Sequence, residues 1–438
     1  MTERGTSRRR FIGGAAATAA GLAAGVGVTA CGAPPVDSAT ARATAVVPFY
    51  GRRQAGITTA QQERLMFAAL DVTTTDAGEL QRMLGRWAAI AARLTAGEQV
   101  SDSPVREGQP PFDTGEAMDL GPHSLTITVG FGPSLFDDRF GLATAMPAEL
   151  TPFGTIPGDA VMKPAISDGD LCIQACADDP QVVFHAIRNM VRAARGTAVL
   201  KWSQLGFGRA SATGAGQSTP RNLMGFKDGT NNIHADDTAA LDEQVWVGGD
   251  SWMTNGSYLV ARKIRMEIES WDTDPLSDQE RIFARHKDTG APLTGGDEFT
   301  PVDYAKTAVT GALVVDVNAH IRLASPEQNG GLRLLRRGYK LHRRAGPGHR
   351  QTCRRLVLHR LSARSADAIQ GAADQARPLR PAERVHRAHR RWPVGVPTRS
   401  QRAGRLVRQV AAHLIRLNRR HRRRRLRTGE RRGPFGCA

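Results

Sequence analysis

Leu65-Met66-Phe67-Ala68-Ala69-Leu70-Asp71-Val72, followed by the run from Asp76 to Ala96, decides how this chain folds. The first stretch is an apolar run of strand length. In the second, Leu80, Met83, Leu84, Trp87, Ile90 and Leu94 recur at helical spacing, so one helix face is apolar. Downstream, Ser124 to Gly130 alternates as a second strand and Asp170 to Cys176 reads as a third. Pro180 to Arg195 then reads as a helix and Ala198 to Trp202 as a fourth strand. The order βαββαβ is that of a ferredoxin-like unit. On the third strand Cys172 and Cys176 share a face and stand roughly 13 Å apart at strand rise. That is too far for a disulfide, so both read as packing residues.

The Gly/Ser/Thr-rich loop from Ala210 to Arg221 separates this unit from a second one. There Ser257 to Met266 predicts a strand, Ser277 to His286 a helix behind Pro275, and Leu332 to Tyr339 a further strand. A second βαββαβ repeat then still needs a strand, a helix and a strand, and none is legible after Tyr339. The expected fold is α+β: tandem ferredoxin-like domains over residues 46–209 and 210–340, the second one incomplete.

Charge divides the chain at the same place. Residues 1–339 carry 32 basic and 38 acidic side chains, whereas residues 340–438 carry 27 arginines, one lysine and only four acids. A uniformly basic nucleic-acid-binding protein is thereby excluded. The tail reads either as an Arg-rich arm for phosphates or lipid, or as a GC-rich coding sequence translated out of register. An out-of-register frame yields Arg, Ala, Gly, Pro, Leu and His with almost no Lys, Tyr, Ile or Phe. That composition, and a start midway through a domain, favour the second reading. Residues 341–438 are then expected to be disordered, with no nucleic acid as partner.

At the other end, residues 1–45 read as a signal and leader. Ser7-Arg8-Arg9-Arg10-Phe11-Ile12 precedes an Ala/Gly-rich run to Ala30, the charged-then-apolar order of an export signal rather than of a membrane anchor. It resembles a twin-arginine signal, carried by Arg8 and Arg9. Val28-Thr29-Ala30-Cys31 looks like a lipoprotein cleavage box, which would leave a lipid anchor at Cys31. Simple cleavage nearby is the alternative. The five cysteines form no disulfide framework and no CxxC zinc site.

Three segments carry candidate chemistry. Gly225-Phe226-Lys227-Asp228-Gly229-Thr230-Asn231-Asn232 is a polar loop between the halves whose glycines admit a ligand close to the backbone. Read as a calcium loop it fails, because Ile233 falls where the sharp-turn glycine must be. His320 lies in Asp316-Val317-Asn318-Ala319-His320-Ile321-Arg322-Leu323-Ala324-Ser325-Pro326. In Leu334-Leu335-Arg336-Arg337-Gly338-Tyr339 strand alternation sends the two arginines to opposite faces, one inward and one to solvent. An inward arginine needs an anion, and alternation alone leaves open which one it is.

Together these segments resemble the dye-decolorizing peroxidase family, most closely its exported deferrochelatase/peroxidases of ferrous-iron uptake systems. The resemblance runs from the signal to Tyr339. GFKDGTNN matches the family's GxxDG motif, NAHIRLASP its proximal-histidine segment and LLRRGY its distal-arginine strand. It implies two ferredoxin-like domains with haem b in the C-terminal one. His320 would be the axial ligand of the haem iron, Asp228 the distal acid/base and Arg336 the distal arginine, also in contact with the cofactor. Gly229, Thr230 and Asn231 would line the haem edge. The implied partners are hydrogen peroxide, an organic or porphyrin electron donor and ferrous-iron uptake components. The implied location is the periplasm or the outer face of the membrane, and a folded chain is expected to be a homo-oligomer. Family members continue past the distal-arginine strand with an apolar strand, a helix and a final strand, so a frame break near Tyr339 would impair haem binding.

Overall fold

The structure is a computed structural model that describes residues 41, 43–150, 162–209, 218–343, 352–361, 387–389 and 393–394, all within one compact unit spanning Ser38–Ala438. The twin-arginine segment and Cys31 lie outside the described residues. No helix among the described residues is long and apolar enough to cross a membrane.

The first half has the expected order: β1 Arg64–Val72, α1 Ala77–Thr95, β2 Thr126–Phe131, β3 Leu171–Ala177, α2 Pro180–Ala193 and β4 Ala198–Arg209. Both helices start on aspartate caps. Asp76 accepts from the Gly78 and Glu79 amides, and Asp179 from those of Gln181 and Val182, ahead of Pro180 in the first turn. The helices are pinned together where Trp87 Nε1 donates to the Met190 carbonyl at 2.8 Å. All pairings are antiparallel and the strands run β2-β3-β1-β4. Every residue of β3 is buried, because Ile173 and Ala175 face the helices while Cys172 and Cys176 face the second half. The two cysteines are free thiols in a packed core, as their spacing suggested.

The second half contributes α3 Thr238–Gln244, β5 Tyr258–Arg265, α4 Ile268–Trp271, α5 Leu276–Phe283, α6 His320–Leu323 and β6 Leu335–Arg343. Strand β6 begins three residues later than Leu332, because the Arg333 amide donates to Gln244 Oε1 and its guanidinium reaches Asp237. Helix α3 was not legible in the sequence. It buries only Leu241 and Gln244, too few for a periodic signature.

After Tyr339 the structure departs from expectation. Thr352–Leu361 forms a strand, β7, between β5 and β6, pairing antiparallel with both. Arg387–His389 adds β8, and Pro393–Val394 adds β9, both against β5. The order β6-β7-β5-β8 repeats β2-β3-β1-β4, while among the described residues no helix lies between β7 and β8. Strands form here because ladder hydrogen bonds use backbone groups that every non-proline residue carries. The apolar centre Leu356-Val357-Leu358 also suits a strand. The rest of 344–438 lies outside the described residues.

The halves join edge to edge where Phe207 pairs with Lys340 and Arg209 with Tyr339. Glycine is required at position 206, where a Cβ would come within 2.8 Å of the Tyr339 Cβ. They also share a core: Leu65, Phe67, Cys172, Cys176 and Trp202 pack with Leu259, Ala261, Tyr339 and Leu341.

Candidate functional site

The polar loop is shaped by its own residues before it meets any other segment. The Asn222 side chain accepts from the Met224 and Phe226 amides, and the Asp228 amide donates to the Pro220 carbonyl at 2.9 Å. Gly229 takes φ +103°, a region closed to most side chains, and so turns the chain immediately after Asp228. Glu298 grips the loop on either side of Asp228: Lys227 Nζ lies 3.0 Å from it and Thr230 Oγ1 donates to it at 3.1 Å. Burial alone would raise the Glu298 carboxyl, but hydrogen bonds from Thr219, Lys227 and Thr230 hold it below its usual range.

Phe226 links this loop to the histidine segment. Its ring stacks on Phe283, with centroids 4.3 Å apart, and meets Trp271 edge-on. Phe283 in turn meets the His320 imidazole edge-to-face at 5.4 Å. His320 opens α6 and is exposed. The loop of Asp228 and the segment of His320 therefore share one aromatic cluster.

Strand β6 supplies the third part. Arg336 Nη2 lies 3.2 Å from Asp228 Oδ1, and the carboxylate side chain is 5% exposed against 30% for the arginine. The Asn232 carboxamide bonds the Arg336 backbone twice, donating to its carbonyl at 2.9 Å and accepting from its amide at 2.8 Å. Of the two arginines, it is Arg336 that faces Asp228.

Arg337 is not solvated, contrary to expectation, because the opposite face of β6 is the core shared by the halves. It is fully buried and donates to the Thr59 and Ala60 carbonyls and to Gln62 Oε1. Gly229 and Thr230 are half-buried and Asn231 is exposed. Sequence reasoning passed over Asn232 and Glu298. Asn232 could be suspected from its place four residues after Asp228, whereas nothing in the local sequence marks Glu298.

Among the described residues no group of three or more His, Cys, Asp or Glu side chains could hold a bare metal ion. What the arrangement offers is a buried carboxylate with a partly exposed guanidinium, and an imidazole on the aromatic cluster beside them. A carboxylate in that setting can shuttle a proton, and the guanidinium can stabilise negative charge on a small bound molecule.

Comparison with known proteins identifies the family. Residues 54–208 match the N-terminal domain of the Dyp-type peroxidases and residues 219–351 their C-terminal domain. A deferrochelatase from Yersinia pestis bv. Antiqua (strain Nepal516) is 37% identical over 345 residues, covering 76% of this chain and 78% of that protein. The crystal structure of a DyP-type peroxidase from Streptomyces coelicolor superposes with a TM-score of 0.74 at 35% identity, covering 84% of this chain and 97% of the other. Ferric DtpA from Streptomyces lividans gives a TM-score of 0.74 at 34% identity, covering 86% and 100%. With both domains matched in order and the loop, histidine and arginine segments inside them, this chain belongs to the Dyp-type peroxidase family.

Proposed function

We propose that this chain is an exported haem b peroxidase that uses hydrogen peroxide to oxidise an organic or porphyrin-type donor. The observation that carries the reading is the Asp228–Arg336 pair at 3.2 Å, on a loop whose Phe226 stacks on the ring that meets His320. The donor set fits a haem: an imidazole for the iron, aromatic side chains for the porphyrin, and an acid/base with a cation for peroxide. Bound haem would supply the redox chemistry, accepting two oxidising equivalents from peroxide and passing them on singly. His320 would hold the iron through an imidazole nitrogen. Asp228 takes a proton from one peroxide oxygen and returns it to the other, so that water leaves. Arg336 stabilises the negative charge that develops as the O–O bond breaks. Gly229, Thr230 and Asn231 would edge the cofactor, with the Thr230 hydroxyl proton committed to Glu298.

The likeness to a deferrochelatase extends the proposal to release of iron from haem, in company with ferrous-iron uptake components. Arg8 and Arg9 support twin-arginine export to the periplasm or the extracellular face of the membrane, and the Val28-Thr29-Ala30-Cys31 box supports a lipid anchor at Cys31. The Arg-rich composition after Tyr339 supports a second element of the proposal: a shifted reading frame weakens haem retention in this chain. Sequencing codons 338–342 for a one-base shift tests that element.

The central reading is tested on purified protein given excess haem. A Soret band should appear and be lost in His320→Ala, and peroxide-dependent dye oxidation should be lost in Asp228→Asn with the Soret band kept. A Soret band indifferent to His320→Ala, or undiminished oxidation in Asp228→Asn, overturns it.

A further inference from the structure

Arg336 is held at its side chain and at its backbone, and both grips come from one loop. Asp228 takes the guanidinium at 3.2 Å, and four residues on the Asn232 carboxamide takes the Arg336 amide at 2.8 Å and carbonyl at 2.9 Å. Among the described residues strand β4 pairs with β6 at Tyr339 and Lys340, and at Arg336 the backbone groups are bonded by the Asn232 side chain. A carboxamide carries one acceptor and one donor group, like a peptide unit, and can bond both. Two residues on, the Gly338 carbonyl accepts from Gln61 Nε2. Side chains thus bond β6 at both Arg336 and Gly338.

We propose that Asn232 is a positioning residue for the peroxide reaction. By bonding both backbone groups of Arg336 it holds the Asp228 loop and strand β6 at one fixed separation, so that carboxylate and guanidinium meet. Only a group of this length with both a donor and an acceptor can do so. Aspartate keeps the acceptor and loses the donor, and alanine loses both. The inference rests on the haem-peroxidase reading and adds to it a residue that does not itself touch peroxide.

The test compares Asn232→Ala, Asn232→Asp and Asp228→Asn with wild type in protein reconstituted with excess haem. Three quantities are read: hydrogen exchange at the Arg336 amide, the bimolecular rate with hydrogen peroxide, and the KM for a dye donor. In Asn232→Ala the Arg336 amide should exchange roughly 2- to 10-fold faster for its lost hydrogen bond. The peroxide rate should fall by about 10-fold or more, the cost of a misplaced catalytic pair, while the donor KM and the Soret position hold. Asn232→Asp should fall between Asn232→Ala and wild type in peroxide rate, and it remains informative if the alanine variant does not fold. Wild-type exchange at Arg336 in Asn232→Ala, or faster exchange with an unchanged peroxide rate, overturns the proposal. Undiminished peroxide reactivity in Asp228→Asn would instead sink the haem-peroxidase reading. A slow Asp228→Asn beside a normal Asn232→Ala sinks the role of Asn232 alone.

Discussion

Glu298→Gln should destabilise the fold at neutral pH and leave it nearly unchanged in acid. Glu298 holds the residues on both sides of Asp228, with Lys227 Nζ at 3.0 Å and Thr230 Oγ1 at 3.1 Å, and its side chain is 12% exposed. A hydrogen bond to a charged group contributes about 1.5–3 kcal/mol. Lys227 is 22% exposed, so its ion pair adds toward the lower end of the usual range. The substitution keeps the shape and removes the charge, for an expected loss of about 1–3 kcal/mol at pH 7. The folded carboxyl titrates below its ordinary value of 4.5. Its contribution is therefore fully present above pH 4.5, shrinks as the pH falls toward the folded value, and is gone below it. Urea unfolding of wild type and Glu298→Gln at stepped pH would measure the gap directly. A gap that stays constant from neutral pH into acid, or widens there, would show that the anchoring does not depend on the carboxylate charge.

Other consequences concern stability and reactivity separately. Gly206→Ala places a Cβ 2.8 Å from that of Tyr339 and should cost about 1–3 kcal/mol in urea unfolding, since backbone on both sides must give. Trp87→Phe removes the 2.8 Å bond to the Met190 carbonyl and should cost about 1–2 kcal/mol, while haem uptake measured by the Soret band stays normal. Arg336→Lys keeps the charge but not the planar fork. It should change stability by less than about 1 kcal/mol, because the guanidinium is 30% exposed, while slowing the peroxide reaction measured by stopped flow.

How much was legible follows the physics of each signal. The first half could be read because α1 places Leu80, Met83, Leu84, Trp87, Ile90 and Leu94 on one buried face and β3 is buried throughout. Both are patterns written in adjacent residues. Strand β4 is legible in the sequence only to Trp202 but runs to Arg209, because Leu205 and Phe207 are exposed and its outer half lacks clean alternation. The facing of Arg336 and Arg337 was beyond the sequence. Alternation assigns them to opposite sides, but which side is the site depends on the core that buries Arg337 among Thr59, Ala60 and Gln62, some 275 residues away. Asn232 and Glu298 escaped for a related cause. Each acts on a group distant in the chain, Asn232 on the Arg336 backbone and Glu298 on Thr230, so neither role is written in neighbouring residues.

Strand β7 shows the reverse case, in which composition argued against an element that the backbone supplies. Its ten residues pair with β6 at nine positions and with β5 at eight. It is therefore an interior strand of the second half, next to the strand that carries Arg336. Among the described residues strands β8 and β9 pair with β5 alone, over three and two residues. Truncation after Arg343 and truncation after Leu361 should thus behave differently. The first leaves β5 and β6 with facing unpaired edges in the middle of a sheet, a template for intermolecular pairing, and the protein should be recovered as aggregate. The second removes most of the arginine-rich tail and two short strands, and should remain soluble with a urea midpoint near that of the full chain. Equal solubility of the two truncations would mean that β7 contributes nothing to the sheet. The second half would then end at β6, as the amino-acid composition suggests.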